Sequence, residues 1–272
     1  MNKEKKLKKY LPLLVVSLIT SIMTPASVSA ETLTSQRTQE AICLTADTSI
    51  EGSASTQNSD IYSFTMPGTG YVTFSVKNLE FKSGIQDRNL ISIYNSSGIN
   101  LNTYTNFDKE SFSSGRYNFK SGDILYIEVS AEKKYSISAN FTGMTSWESE
   151  SNDNFMTATH LSAGKARCGT AYYTYDKDFY TFVASKNKNG KQAVKLNFSI
   201  ATANKEKNGI LDSYRITVYN TEKHEICHSK NLSQNYSVSF KVNPGKRYYI
   251  MVDPAGSNNI DALYKIKIAY KK

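Results

Sequence analysis

Apolar and polar residues alternate with a period of two along most of the chain. In the first half the apolar positions are Val72-Phe74-Val76, Leu90 to Ile93, Leu125-Ile127-Val129 and Tyr135-Ile137-Ala139. In the second half they are Val194-Leu196-Phe198, Tyr214-Ile216-Val218, Val238-Phe240-Val242, Tyr248-Ile250-Val252 and Tyr264-Ile266-Ile268. Such alternation predicts half-buried strands, whose successive side chains point to opposite faces. Stretches rich in Asn, Gly, Ser and Lys separate them, as turns require, and helical periodicity is nearly absent.

The two halves present these strands in the same order. Asp60-Ile-Tyr62-Ser-Phe64 matches Asp178-Phe-Tyr180-Thr-Phe182, Ile93-Tyr94-Asn95 matches Val218-Tyr219-Asn220, and Gly122 and Gly245 each precede a strand, ending at Val129 and Val252. The offsets stay between 118 and 125 residues, which predicts a tandem duplication. Short strands at turn-separated intervals predict an all-β fold of two tandem antiparallel β-sandwiches, jelly-roll-like in plan. The expected organisation is a leader at 1–30, a first sandwich at 31–142, a linker at 143–147 and a second sandwich at 148–272. Trp147 is expected either at the junction or over a sheet edge.

The leader changes both the charge and the compartment. Lys3, Lys5, Lys6, Lys8 and Lys9 precede an apolar run from Leu11 to Met23, followed by the small residues Ala26-Ser-Val28-Ser-Ala30. This is the form of a secretory signal cut after Ala30. The run is shorter than the roughly 20 residues of a membrane span and contains Pro12. No second apolar span follows, so a secreted protein without an integral membrane anchor is expected, free or held at the cell surface. Losing five Lys and one Glu lowers the formal charge from +9 to +5. A mild positive charge suits loose attraction to anionic wall polymers or simply a solvated surface. No Arg/Lys cluster interleaved with aromatics points to nucleic acid.

Of 272 residues, 39% are hydrophobic and 21% charged, which excludes a disordered polymer. The 19 Tyr against one Trp suit half-buried strands. Cys43, Cys168 and Cys227 are too few for a disulfide framework. Cys168 and Cys227 are expected either to bond or to stay as free thiols.

A set of motifs in the second half carries a family resemblance. Glu148-Ser-Glu150-Ser-Asn152-Asp153-Asn-Phe-Met-Thr-Ala158, then Gly169, Asp176-Lys-Asp178-Phe-Tyr180-Thr-Phe182, and Pro244-Gly245-Lys-Arg-Tyr248-Tyr249-Ile-Met-Val252 follow in order. Together they resemble the bacterial pre-peptidase C-terminal domain and the collagen-binding domains of clostridial collagenases. The likeness is clear from Trp147 to Tyr270; residues 41–142 look like a divergent copy. It implies a non-catalytic β-sandwich of the kind usually appended to a secreted hydrolase. The family's collagen binders place tyrosines after the Tyr-Tyr-x-x-Val strand, where this chain has Asp253-Pro254-Ala255, so collagen is not the expected ligand.

Calcium takes six to eight oxygen ligands. Glu148, Glu150, Asn152 and Asp153 offer four ligand side chains within six residues, and the resemblance adds Asp178 and, with a shifted register, Asp176. A structural Ca²⁺ is the expected cofactor; a solvated acidic linker with a turn at Asn152-Asp153 is the plainer alternative. Ser35-Gln-Arg-Thr-Gln-Glu40, at the equivalent place in the first half, lacks the acid pairs.

His224-Glu225-Ile226-Cys227-His228 is a literal His-Glu-x-x-His, which on a helix would place two imidazoles on one zinc beside a general base. The segment follows a strand and aligns with the hairpin Ser96 to Asn100. In an extended chain, residues four apart lie about 13 Å from each other, too far to share a metal. His160 is the third histidine and lies in a different segment. No Gly-x-Ser-x-Gly elbow or dinucleotide loop is present. The expected function is a secreted binding or accessory protein that contacts an extracellular polymer or protein. A zinc-dependent hydrolase and a structural surface or matrix component are the alternatives.

Overall fold

The computed structural model describes residues 33–54, 58–82, 88–107, 109–171, 176–186, 190–200, 213–232, 235–254 and 263–271. The leader predicted at 1–30 lies outside them. Residues Glu31–Lys272 form one compact unit. Among the described residues no helix is long and apolar enough to cross a membrane.

Among the described residues a short helix, α1 (Ser35–Gln39), precedes ten strands of the first half: β1 (Ile42–Leu44), β2 (Ser49–Gly52), β3 (Asp60–Thr65), β4 (Gly70–Asn78), β5 (Arg88–Tyr94), β6 (Asn100–Phe107), β7 (Ser111–Ser113), β8 (Tyr117–Asn118), β9 (Ile124–Ser130) and β10 (Tyr135–Gly143). Nine follow in the second half: β11 (Thr159–His160), β12 (Ala166–Gly169), β13 (Asp178–Val183), β14 (Gln192–Ile200), β15 (Tyr214–Tyr219), β16 (Glu225–His228), β17 (Tyr236–Val242), β18 (Arg247–Pro254) and β19 (Tyr264–Tyr270).

The first half forms sheets of order β1-β3-β9-β5-β6 and β2-β10-β4-β7, with β8 also on β4. The second forms β11-β13-β18-β15-β16 and β12-β19-β14-β17. Strand for strand the two orders correspond. Pairing is antiparallel except at one edge of each half, where β1 and β11 run parallel to β3 and β13. These edge strands belong to the segments that lead into each sandwich.

Alternation decides which face is buried. In β9 every second residue, Leu125, Ile127 and Val129, is fully buried, and in β19 so are Tyr264, Ile266 and Ile268. One core packs Tyr62, Phe64, Phe74, Tyr117 and Tyr135; the other packs Tyr180, Phe182, Phe198, Tyr214 and Tyr264. Aromatic side chains bury more area than any others, so these rings dominate both cores. Each lead-in segment also staples itself to the outer face of its sheet. Leu33 packs with Ile61 and Tyr94, while Phe155 sits 4.7 Å from Phe179, 5.3 Å from Tyr219 and 5.1 Å from Tyr249, ring centre to ring centre.

The hairpins use local side-chain caps. Asn95 Oδ1 accepts from the amides of Ser97 and Ile99, and Gly98 takes φ +75° beside the Leu33 carbonyl. In the matching turn Asn220 Oδ1 accepts from the His224 amide at 2.8 Å, and Lys223 adopts φ +64°. All three cysteines are free thiols; Cys168 and Cys227 lie on strands of different sheets and are not bonded.

Candidate metal centre at the junction

Trp147 marks the passage between the sandwiches and fulfils both roles considered for it. Its backbone bridges to Cys168 on β12, and its ring, 1% exposed, lies 5.4 Å from Tyr71 of β4. The chain then turns inward, carrying the acidic lead-in under the end of the second sandwich.

The structure gathers all six sequence-predicted ligand residues at this place. Glu148, Glu150, Asn152, Asp176 and Asp178 are buried, and Asp153 is half-buried. Carboxylate oxygens of Glu148, Glu150 and Asp178 lie within 4.8 Å of one another, as do those of Glu150, Asp153 and Asp176. Phe155 holds the lead-in from outside, and the Phe179 amide donates to the Asn152 carbonyl at 2.8 Å, so the segment is pinned to β13. Gly169 on β12 makes the room: a Cβ there would overlap the Glu148 carboxylate.

Glu148 is saturated with donors. Its Oε1 accepts from Asn118 Nδ2 at 2.7 Å and the Thr170 amide at 3.0 Å, and its Oε2 from Tyr180 and Tyr264 at 2.8 Å and Asn152 Nδ2 at 3.2 Å. Asp153 and Asp178 are less well served. Among the described residues, Asp178 Oδ1, Asp153 Oδ1 and the amide oxygen of Asn152 are buried without a hydrogen-bond partner. None of Glu148, Glu150, Asp153 and Asp178 forms an ion pair with Lys or Arg among the described residues.

Proton counting sharpens the imbalance. Tyr180 and Tyr264 oxygens are 2.7 Å apart, both touch Glu148 Oε2, and Tyr264 also touches Asp178 Oδ2. With Glu148 and Asp178 ionised, two hydroxyl protons face four close oxygen contacts, so the ionised cluster is short of protons or another positive charge. Burial pushes the carboxyls of Glu148, Glu150, Asp176 and Asp178 upward. Mutual repulsion adds to this at Glu150, Asp176 and Asp178, whereas donated hydrogen bonds oppose it at Glu148. Desolvated acids of one sign either take up protons or hold a cation. The donor set is all oxygen and mostly carboxylate, which suits a hard divalent cation such as calcium.

Asn118 has no counterpart in the sequence-based ligand set. It stands on the two-residue strand β8 of the first sandwich, 5% exposed, and donates to Glu148 Oε1 and Glu150 Oε1, both at 2.7 Å. A polar cleft of about 410 Å³ lined by Asn118, Lys120, Asp123, Glu150 and Asp153 connects the cluster to solvent. Tyr180 and Tyr264 were visible only as core aromatics.

The first sandwich repeats part of the arrangement. Tyr135 donates to Asp60 at 2.6 Å and lies 2.8 Å from the Tyr62 hydroxyl, in the places of Tyr264, Asp178 and Tyr180. Its lead-in is docked differently: Arg37 pairs with Glu128 at 2.7 Å, and Ser59 and Tyr94 donate to the same carboxylate.

His224, Glu225 and His228 come together only in part. Glu225–His228 is strand β16, paired with β15 across a bulge. His228 Nδ1 lies 2.6 Å from Glu225 Oε1, and both side chains are about half exposed, at 60% and 49%. The helical geometry that aims two imidazoles at one zinc is not formed here.

No protein-family model and no curated protein matches the sequence. The fold is similar to solved β-sandwich proteins at low identity. The pre-peptidase C-terminal domain of collagenase from Bacillus anthracis is 13% identical, over 41% of this chain and 93% of that one, with a TM-score of 0.32. The tandem CBM22-1-CBM22-2 domain of Xyn10C from Paenibacillus barcinonensis is 10% identical, over 84% and 90%, with a TM-score of 0.26. The tandem CBM51 modules of the family 98 glycoside hydrolase from Streptococcus pneumoniae SP3-BS71 are 10% identical, over 82% and 84%, with a TM-score of 0.27.

Proposed function

We propose that this chain is an exported, non-catalytic accessory protein that presents paired β-sandwiches to an extracellular polymer or protein, with a structural calcium ion at their junction. The observation that supports the calcium reading is the buried group of Glu148, Glu150, Asp178 and their neighbours, which has more oxygen acceptors than protons to satisfy them. Glu148, Glu150, Asp153, Asp176 and Asp178, with the amide oxygen of Asn152, are the residues that would hold the ion. Bound calcium supplies fixed positive charge and no redox or acid-base chemistry.

The chain's own residues then have defined tasks. Gly169 leaves space for Glu148, Tyr180 and Tyr264 orient Glu148 and Asp178 from the core, and Phe155 clamps the lead-in from outside. Asn118 ties the cluster to the first sandwich. Pairing of two rigid sandwiches would present a wider binding surface in one orientation than a flexible tether allows. In the same reading the leader is removed after Ala30, and 31–142 and 148–272 descend from one duplicated unit joined at 143–147. The matching sheet orders and the shared Tyr–Tyr–Asp constellation support this ancestry.

Calorimetric titration of the chelator-treated protein with calcium tests the site, with Asp178→Asn and Asp153→Ala as controls. Saturable binding near one ion per chain, lost in Asp178→Asn, is the expected result; absence of both heat and a melting shift refutes the calcium assignment. Retention on panels of wall, matrix and glycan material tests the binding role, and retention on none of them counts against it.

A further inference from the structure

The outer face of the β12-β19-β14-β17 sheet carries an unbalanced charge. Lys265 and Lys267 of β19, Lys195 of β14, Lys241 of β17 and Lys271 just beyond β19 are all exposed. Lys267 stands opposite Asn197, Lys195 opposite Ala269, and Lys241 opposite Ala193. The Lys271 amide donates to the Ala193 carbonyl, which places it at the same level. With about 7 Å between alternate residues and about 4.8 Å between strands, these lysines form a diagonal track roughly 20 Å long, each about 7–8 Å from the next.

Among the described residues the outward-facing positions of these strands hold no acid, no arginine and no aromatic residue, and none of the five lysines forms an ion pair. Ala166, Ala193 and Ala269, with Asn197, Ser199, Ser237 and Ser239, keep it flat between the charges. A depression of about 290 Å³ next to the track is lined by Asn197, Ser199, Asn235 and Ser237 and by the rings of Phe198 and Tyr236, which come from inward-facing positions of β14 and β17.

The fold does not require lysine at these positions. In the corresponding sheet of the first sandwich the same registers hold Ser136 for Lys265, Ser138 for Lys267 and Thr73 for Lys195. Lys77 on that face pairs with Glu110 at 3.2 Å, and Glu51 stands opposite Ser136. Like charges at neighbouring positions of a sheet repel and destabilise it, so the second sandwich carries a cost that its sister avoids.

We propose that this face docks an acidic polysaccharide, a chain of sugars bearing carboxylate, sulfate or phosphate groups, along the lysine track. Lysine heads are mobile point charges that accept anions in many geometries, while the intervening Ser and Asn side chains offer hydrogen bonds to sugar hydroxyls. A single-stranded nucleic acid calls for aromatic platforms along the charged track and a membrane surface for protruding apolar anchors; the outward-facing positions of these strands supply neither. The proposal rests on the accessory-binding reading and assigns that reading a surface and a ligand class.

Affinity electrophoresis through alginate, dextran sulfate and neutral dextran tests it. The protein is compared with a variant carrying Lys195→Thr, Lys265→Ser and Lys267→Ser, the sister sheet's own residues. A second variant, Lys82→Ser with Lys134→Ser and Lys230→Ser, removes the same charge from exposed sites elsewhere. Expected are retardation by both acidic gels and not by dextran, a loss of roughly tenfold or more in affinity in the first variant, and little change in the second. Equal losses in both variants, or no retardation of the unaltered protein at low salt, overturn the proposal. Equal retardation of the unaltered protein and the first variant by neutral dextran also overturns it, but leaves the accessory-binding reading standing. Unchanged melting of the first variant confirms that the fold is intact.

Discussion

Asn118 and Glu148 meet across the junction of the two sandwiches, the amide of one donating to the carboxylate of the other at 2.7 Å with both side chains buried. The same amide reaches Glu150, also at 2.7 Å. A residue of the first sandwich therefore completes the carboxylate cluster of the second.

Asn118→Ala removes donors from two buried carboxylates, and hydrogen bonds to charged groups are worth about 1.5–3 kcal/mol. Stability should fall by about 2–4 kcal/mol in the chelated protein, allowing for the buried acceptors left behind. Proteolysis between Met144 and Trp147 should accelerate. Thermal melts and limited digestion followed by mass spectrometry measure both effects; unchanged digestion would show that the contact does not couple the sandwiches.

Without calcium, the cluster makes stability fall as pH rises. The folded-state pKa values of Glu148, Glu150, Asp153, Asp176 and Asp178 lie above their ordinary values, so the folded chain holds protons that the unfolded chain releases. Their contribution is full below the ordinary carboxylate range and is lost as pH climbs through the raised values. Melting temperature against pH in chelator should therefore decline from acid toward neutral pH. Added calcium should reverse that decline, because a bound ion favours the ionised carboxylates.

Glu128 behaves in the opposite sense. Burial alone would raise its pKa, but donors from Ser59, Tyr94 and Arg37 outweigh that and bring it below the usual glutamate value. Its contribution is present above the ordinary value and disappears as pH falls through the depressed one. Glu128→Gln should cost about 1–2 kcal/mol at neutral pH, given its partial exposure. It should flatten the acid limb of the stability profile, which urea unfolding at several pH values would reveal.

Gly169→Ala tests the space beside Glu148. The added methyl overlaps the carboxylate, so Glu148 must leave its five donors. Calcium affinity by calorimetry should drop at least tenfold, a coupling of roughly 1.4 kcal/mol, while the distant turn substitution Gly164→Ala should leave it unchanged.

The strand plan was legible because burial of one face imposes alternation on the sequence itself. Val72-Phe74-Val76 and Tyr264-Ile266-Ile268 lie in the strands that their alternation predicts, and the matched anchors Asp60-Tyr62 and Asp178-Tyr180 occupy corresponding strands. The His-Glu-x-x-His segment aligns with a hairpin of the first half, and its residues 225–228 form the second strand of the corresponding hairpin. The cluster's lead-in ligands were legible as well, since three acids and Asn152 stand within six residues.

Local pattern says nothing of what long-range packing brings to a site. Asn118 is one polar residue on a two-residue strand, 30 positions before Glu148, and no periodicity singles it out. Tyr180 and Tyr264 read as core rings until sheet closure, across 84 positions, places their hydroxyls against each other and against Glu148. The parallel edges of β1 and β11 were likewise invisible, because a strand's partner and direction are chosen by the sheet it joins. Where strands form and which side of each is apolar follow from neighbours two residues away, and so can be read along the chain. Which distant polar atoms share a buried space, and with it the charge imbalance at the junction, is set by how the sheets close on one another.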